Sequence, residues 1–426
     1  MSEVAATPDS EQESVTPVVQ GNRLASLDLI RGIAVLGILA ANIVFFGQPQ
    51  MAYMWPGGFV SDAGDPDYWM WITQFTLIDG KMRGLFTILF GVGLILFMEK
   101  AWERGASKWL LARRLFWLLL FGLFHFLMIW RGDILTLYAL GGFVALAFLK
   151  MSGRNLLVMG LLTYIIGGTL FVLFNALPSL VMDTGASANP KFAEMVVGVE
   201  EAQAELLGDD AAETVILTEG SYPEFVQHNV SEHISDPFVN APLMLFFETV
   251  PLILIGMGLY KVGMFSGALN RRKQLMWGWI GIVSGSLLTL LIGIGVAANG
   301  VTFWEGVAAL TGYLHYPKLP VVLGFVAIMA IYGETASGWL AERLSAAGRA
   351  AFTNYLGTSV LMMLIFHPWA GGLWGELSRP ELYLVVAMAW AVMLLWSKPW
   401  LERYRYGPLE WLWRCLTYGK RFPLKR

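Results

Sequence analysis

The sequence predicts an all-α polytopic membrane protein of about ten transmembrane helices, with its N- and C-termini cytoplasmic. Three observations carry this. Of 426 residues, 56% are hydrophobic and only 14% charged, whereas a soluble domain charges roughly a quarter to a third of its surface. Apolar runs of bilayer-crossing length recur along the chain. Lys and Arg concentrate in alternate connections, as cytoplasmic loops require.

The runs lie at 27–47, 70–98, 110–130, 134–149, 156–177, 243–262, 275–297, 319–333, 350–367 and 382–396. A crossing needs about 20 residues, so the eighth is short and the second too long. The step Ile78, Asp79, Gly80 divides the second into an interfacial helix over 69–77 and a true span. Residues 1–22 are polar and acidic and read as a disordered cytoplasmic tail. Two membrane halves, 23–177 and 243–397, flank an acidic periplasmic loop at 178–242. That loop is either a small helical cap, from the run Glu200, Glu201 and Glu205, or a solvated segment. A basic, aromatic cytoplasmic tail closes the chain at 398–426. With the N-terminus inside, 22 of the 29 Lys and Arg residues fall on the cytoplasmic side. Arg131, Lys191, Lys318 and Arg379 alone fall outside.

Several functions are excluded. A net charge of -3 gives no basic field for nucleic acid. Cys415 is the single cysteine, so neither a disulfide framework nor a cysteine-cluster metal site exists. No G-x-x-x-x-G-K-[ST] or H-E-x-x-H motif occurs, which speaks against direct ATP use and a zinc protease. His228 and His233 beside Glu232 are explained by a solvated loop, so no metal and no bound cofactor are expected.

Ionisable groups within spans are costly and usually mark a site or a buried pair. Asp28 and Arg31 stand i and i+3 at the inner end of the first span. Asn42, eleven residues beyond Arg31, lies on that face about 16 Å further out. Asp79, Lys81 and Arg83 begin the second span from outside. His125 lies in the outer half of the third, and Arg131 and Asp133 occupy the turn after it. Glu248 stands one turn into the sixth span and His367 closes the ninth, whereas Asn354 lies toward the inside. Singly, each fits an ordinary role: a hydrogen-bonded core His, a turn residue, an intrahelical pair. Their shared depth favours an outward-facing polar cavity. In it His125 would be a general base, Asp133 its orienter, and Lys81, Arg83 and Arg131 electrostatic clamps. Asp28, Asn42, Glu248, Asn354 and His367 complete the candidate substrate-binding set with Arg31.

The stretch Arg23, Asp28, Arg31, Gly32 resembles the R-x4-D-x2-RG opening of a large superfamily of membrane acyltransferases. Gly122 and His125, followed by Trp130, Gly132, Asp133, Leu135 and Tyr138, resemble a signature of the YeiB-like family of bacterial inner-membrane proteins, a domain of unknown function. So do Gly348, Arg349, Thr353, Asn354 and Tyr355, and then Arg405 to Tyr418. The second membrane half would carry that family's C-terminal domain. Kinship with acyltransferases implies an acyl-CoA co-substrate on the cytoplasmic side, with Asp28 and Arg31 at its mouth, and an envelope glycan or lipid acceptor outside. Two positions depart from the relatives: Asn42 where many O-acetyltransferases carry His, and Thr358 where Gln is expected. The base therefore moves to His125, the one His read as well inside the bilayer. After the last span, Trp411, Trp413 and Tyr418 alternate with basic residues, which suits a segment lying on the lipid bilayer or a lid over the donor. A secondary transporter or channel would also need cavity-facing polar groups, but the halves show no internal repeat. A non-catalytic envelope scaffold is the third reading.

Overall fold

The computed structural model describes residues 25–58, 66–239 and 241–426; the tail expected at 1–22 lies outside the described residues. No strand forms among the described residues. Among the described residues, eight helical stretches are long and apolar enough to cross a membrane, and Leu135–Ala145 and Ala351–Phe366 are shorter apolar helices. The protein is an all-α, multi-pass membrane protein.

The first half holds α1 (Ala25–Gly47), a short α2 (Gln50–Met54), α3 (Pro66–Leu77), α4 (Lys81–Trp102), α5 (Lys108–Met128), α6 (Leu135–Ala145) and α7 (Gly153–Asp183). As the sequence predicts, α3 and α4 separate at Asp79 and Gly80, and Gly80 takes φ +68 there. Then come α8 (Ala193–Glu219) and α9 (Tyr222–His233). The second half opens with a π-helical turn, Leu245–Thr249, that runs into α10 (Val250–Lys261). It continues through α11 (Arg271–Ala298), α12 (His315–Tyr332), α13 (Trp339–Arg349), α14 (Ala351–Phe366), α15 (Arg379–Arg403) and α16 (Pro408–Tyr418).

Local chemistry explains where the helices start. Ser107 and Ser152 accept bonds from backbone N–H groups in the first turns of α5 and α7, and Asn270 does so for α11. Ser378 and Glu381 form a capping box on α15. Each satisfies donors that a helix start leaves orphaned. The segment 178–242 is largely helical, and it docks on the outer end of α5: Tyr222 and Asn229 of α9 donate to the carbonyls of Met128 and Leu127.

Burial sorts the helices into layers. Ile30, Ala34 and Ile43 of α1, Ile88 and Val92 of α4, and Ile253 and Met257 of α10 are fully enclosed. By contrast, α7 and α11 present Ile166, Leu173, Phe174, Val283 and Leu291 outward, the pattern of helices set in hydrocarbon.

Three sequence expectations change here. Lys318 and Arg379, assigned to outside connections, are 4% and 1% exposed. The eighth span begins at His315 rather than Leu319, because the charge that interrupted the apolar run is neutralised from another helix. His315 is thereby a second His enclosed at membrane depth.

Candidate functional site

The centre of interest forms where α5 ends and α6 begins. His125 sits in the last turn of α5, and the chain reverses over Trp130–Asp133 into α6. Asp133 Oδ2 accepts the backbone N–H of Thr136 at 2.7 Å, which fixes the carboxylate at the start of α6. Its Oδ1 lies 2.9 Å from His125 Nδ1. An ionised carboxylate only accepts, so Nδ1 is the donor and Nε2 carries the lone pair. Nε2 is enclosed and has no hydrogen-bond partner among the described residues. Buried polar atoms are usually paired; this one, like Nδ1 of His315 and of His367, is not.

Gly122 makes the closure of α6 on α5 possible. A Cβ there would stand 2.6 Å from Thr136 N and 2.9 Å from Asp133 Oδ2. Tyr355 of α14 completes the wall: its ring is 5.1 Å from that of His125, and its hydroxyl accepts the N–H of Ile134 at 3.3 Å. A narrow cleft of about 10 Å³, roughly the room of one water, adjoins this wall, lined by Asn42, Phe46, Trp130, Tyr355 and Ser359 among others. Asn42 and the His125–Asp133 pair are thus brought to one region.

Other candidates gather elsewhere. Arg83 and Lys318 converge on Glu248, with N–O distances of 3.1 and 2.8 Å. Tyr138 borders this second centre, donating to the Arg83 carbonyl at 3.3 Å and accepting from Thr87. Lys81 Nζ donates to the Phe75 carbonyl at 2.7 Å. Asp79 accepts from Gln74 at 3.1 Å, and Arg379 donates to Gln74 and the Ala52 carbonyl. Arg131 turns outward to Glu213 of α8. The expected basic clamp around His125 is therefore not assembled: Arg83 serves Glu248, Arg131 serves the cap, and Lys81 serves a carbonyl.

Asn354 also has a structural occupation. It donates to the Ala347 carbonyl and Ser397, and accepts from Trp396 at 2.9 Å, joining α13, α14 and α15. His367 lies beneath the cap, edge-on to Phe225 of α9 at 4.8 Å; burial lowers its pKa to about 4. Asp28 and Arg31 pair at 3.4 Å at the opposite, basic end. There Gly32 and Gly348 let α1 and α13 cross in backbone contact, since a Cβ on either would overlap the other helix.

One stretch singled out by sequence acquires a function only in three dimensions. Glu410 of α16 accepts from the N–H of Phe352 at 2.8 Å, the N–H of Thr353 at 3.2 Å and the Thr353 hydroxyl at 2.6 Å. It caps the start of α14 from another helix. Burial pushes its carboxyl above the usual range, and those donors oppose the rise.

The chain is 30% identical to the uncharacterized protein YxaH of Bacillus subtilis (strain 168), over 95% of this chain and 96% of the relative. It is 26% identical to the uncharacterized protein YeiB of Escherichia coli (strain K12), over 93% and 96%. A 39.9 kDa protein from the amylase 3' region of Bacillus acidopullulyticus is also 26% identical, over 96% and 97%. The family model described as Protein of unknown function (DUF418) matches residues 259–420. The chain belongs to the DUF418 family. No solved structure matches. In this DUF418 chain the matched region spans α11 to α16, so it contains Tyr355, Asn354 and the Glu410 cap. The His125–Asp133 pair lies before it.

Proposed function

We propose that this chain is an integral inner-membrane acyltransferase that moves an acyl group, in the first instance acetyl, from a cytoplasmic acyl-CoA to an envelope or exported acceptor. One observation carries the reading: a fully enclosed His whose Nδ1 is held by a carboxylate and whose Nε2 is unpaired. What sets His125 apart from the other buried histidines is the carboxylate on its Nδ1; a general base needs one nitrogen fixed and the other free.

The step balances without a further reactant. Nε2 of His125 takes the proton of an acceptor hydroxyl or amine as that oxygen or nitrogen bonds to the thioester carbonyl carbon. Asp133 stabilises the resulting imidazolium and preserves the tautomer. Collapse breaks the C–S bond, and the proton passes from Nε2 to the departing thiolate. Asn42, in the adjoining cleft, is assigned as donor to the developing oxyanion.

The test is thiol release from acetyl-CoA by the purified full chain in nanodiscs, with envelope glycan and lipid fractions as acceptors. His125→Gln and Asp133→Asn are expected to lower turnover by about 10²–10⁴-fold while insertion and thermal stability hold. Undiminished thiol release in His125→Gln would remove the assignment. Solute counterflow in proteoliposomes without thioester cleavage would replace it with transport.

A further inference from the structure

The second buried centre carries charge that its own side chains do not balance. Arg83 and Lys318 share the single carboxylate of Glu248. Around them, Lys81 and Arg379 face Asp79 and Asp67, and Asp67 accepts the backbone N–H of Arg379. Among the described residues, four cationic side chains thus stand against three carboxylates. An uncompensated charge away from water is strongly unfavourable, and proteins pair it or bind a counter-ion.

The surplus has an address. Arg83 commits Nε and Nη2 to Glu248, and Nη1 makes no hydrogen bond among the described residues. Its side chain is 36% exposed, whereas that of Glu248 is 4%. α4 packs on α1, α10 and α12, and the exposed part of Arg83 lies at its first turn. Arg83 also lies in the first turn of α4, the end of a helix that favours negative charge. On the other side, Glu248 sits in a π-helical turn, an irregularity frequent at functional positions. Glu248 and Lys318 thereby hold one edge of the guanidinium and leave its other edge presented.

We propose that this centre binds an oxyanion, a phosphate or carboxylate group, at the free edge of Arg83. A guanidinium is the side chain suited to such groups because its planar fork matches two of their oxygens. The site is separate from His125 and requires no acyl transfer, so it is measured without turnover.

The experiment titrates sodium phosphate and sodium acetate at constant ionic strength into the purified full chain in neutral detergent, reading intrinsic Trp fluorescence and the unfolding midpoint. Saturable binding is expected for the parent, with Arg83→Gln at least tenfold weaker. Arg83→Gln leaves Glu248 paired with Lys318, so the fold should persist. Arg83→Lys, which keeps the charge but loses the fork, is the companion variant and is also expected to weaken binding. A second arm repeats the phosphate titration in nanodiscs of phosphatidylglycerol and of phosphatidylcholine. Loss of the phosphate response only in phosphatidylglycerol identifies a lipid headgroup as the occupant; a response in both identifies a free anion, and either supports the site. No saturable response in the parent, or equal affinity in the folded Arg83 variants, overturns it.

Discussion

The His125–Asp133 pair and the Arg83–Glu248–Lys318 triad flank α6, yet they are built on opposite principles. In the pair, charge is matched and a valence is left over: both Asp133 oxygens are engaged, while Nε2 has nothing to bind. In the triad the carboxylate is fully engaged and a positive charge is left over. A spare lone pair suits proton transfer, whereas a spare charge suits binding. The contrast also separates what each centre does for stability, because removing a fully engaged group strands its partners and removing an under-engaged one strands little.

Glu248→Ala tests the structural side and should have the largest effect. It leaves Arg83 and Lys318 facing each other without an anion, and breaking a buried pair costs about 3–5 kcal/mol. Little folded protein is expected to accumulate, with a clearly lowered unfolding midpoint in detergent. Glu248→Gln, which retains an acceptor, should fall between. A parent-like midpoint for Glu248→Ala would show that the triad bears no load. Gly122→Ala sharpens the other side. Its methyl group must push Thr136 and Asp133 away from α5, and overpacking of this kind costs about 1–3 kcal/mol. Lengthening the His125–Asp133 bond should cost about 10–100-fold in turnover. Parent-like turnover with proven folding would remove Asp133 from the positioning role.

How much of this was legible in sequence depends on the distance over which each contact is made. His125 and Asp133 are eight residues apart across one turn, so their pairing follows from the span boundary alone. The break at Gly80 was legible for the same local reason. Tyr355 reaches Ile134 across 221 residues, and Glu410 caps α14 across 58; one sequence supplies no signal for either partner. Lys318 was misplaced because a charge ends an apolar run on any hydropathy argument, and only Glu248 on another helix makes its burial tolerable. Arg131 was legible as a turn residue but not as a tie to Glu213, since nothing local specified where α8 would dock.

His367 gives the smallest effect and separates the cap from both centres. Its ring is enclosed between Phe225 and Trp369, and burial holds its pKa near 4, below the ordinary 6.5. The folded state therefore prefers neutral His, and the stability this provides is complete above about 6.5 and is lost as the pH falls toward 4. Undocking of α9 relieves the cost without unfolding the spans, so the response should be local. Protease cleavage within 193–233 should rise over that window in the parent and stay flatter in His367→Asn, while the global midpoint moves by only a few degrees. An equal rise in both proteins would assign the response to another group of the cap, His228 first. The effect is small because solvent lies one docked helix away, whereas Glu248 has no such escape; the depth of a group, more than its charge, sets what its loss costs.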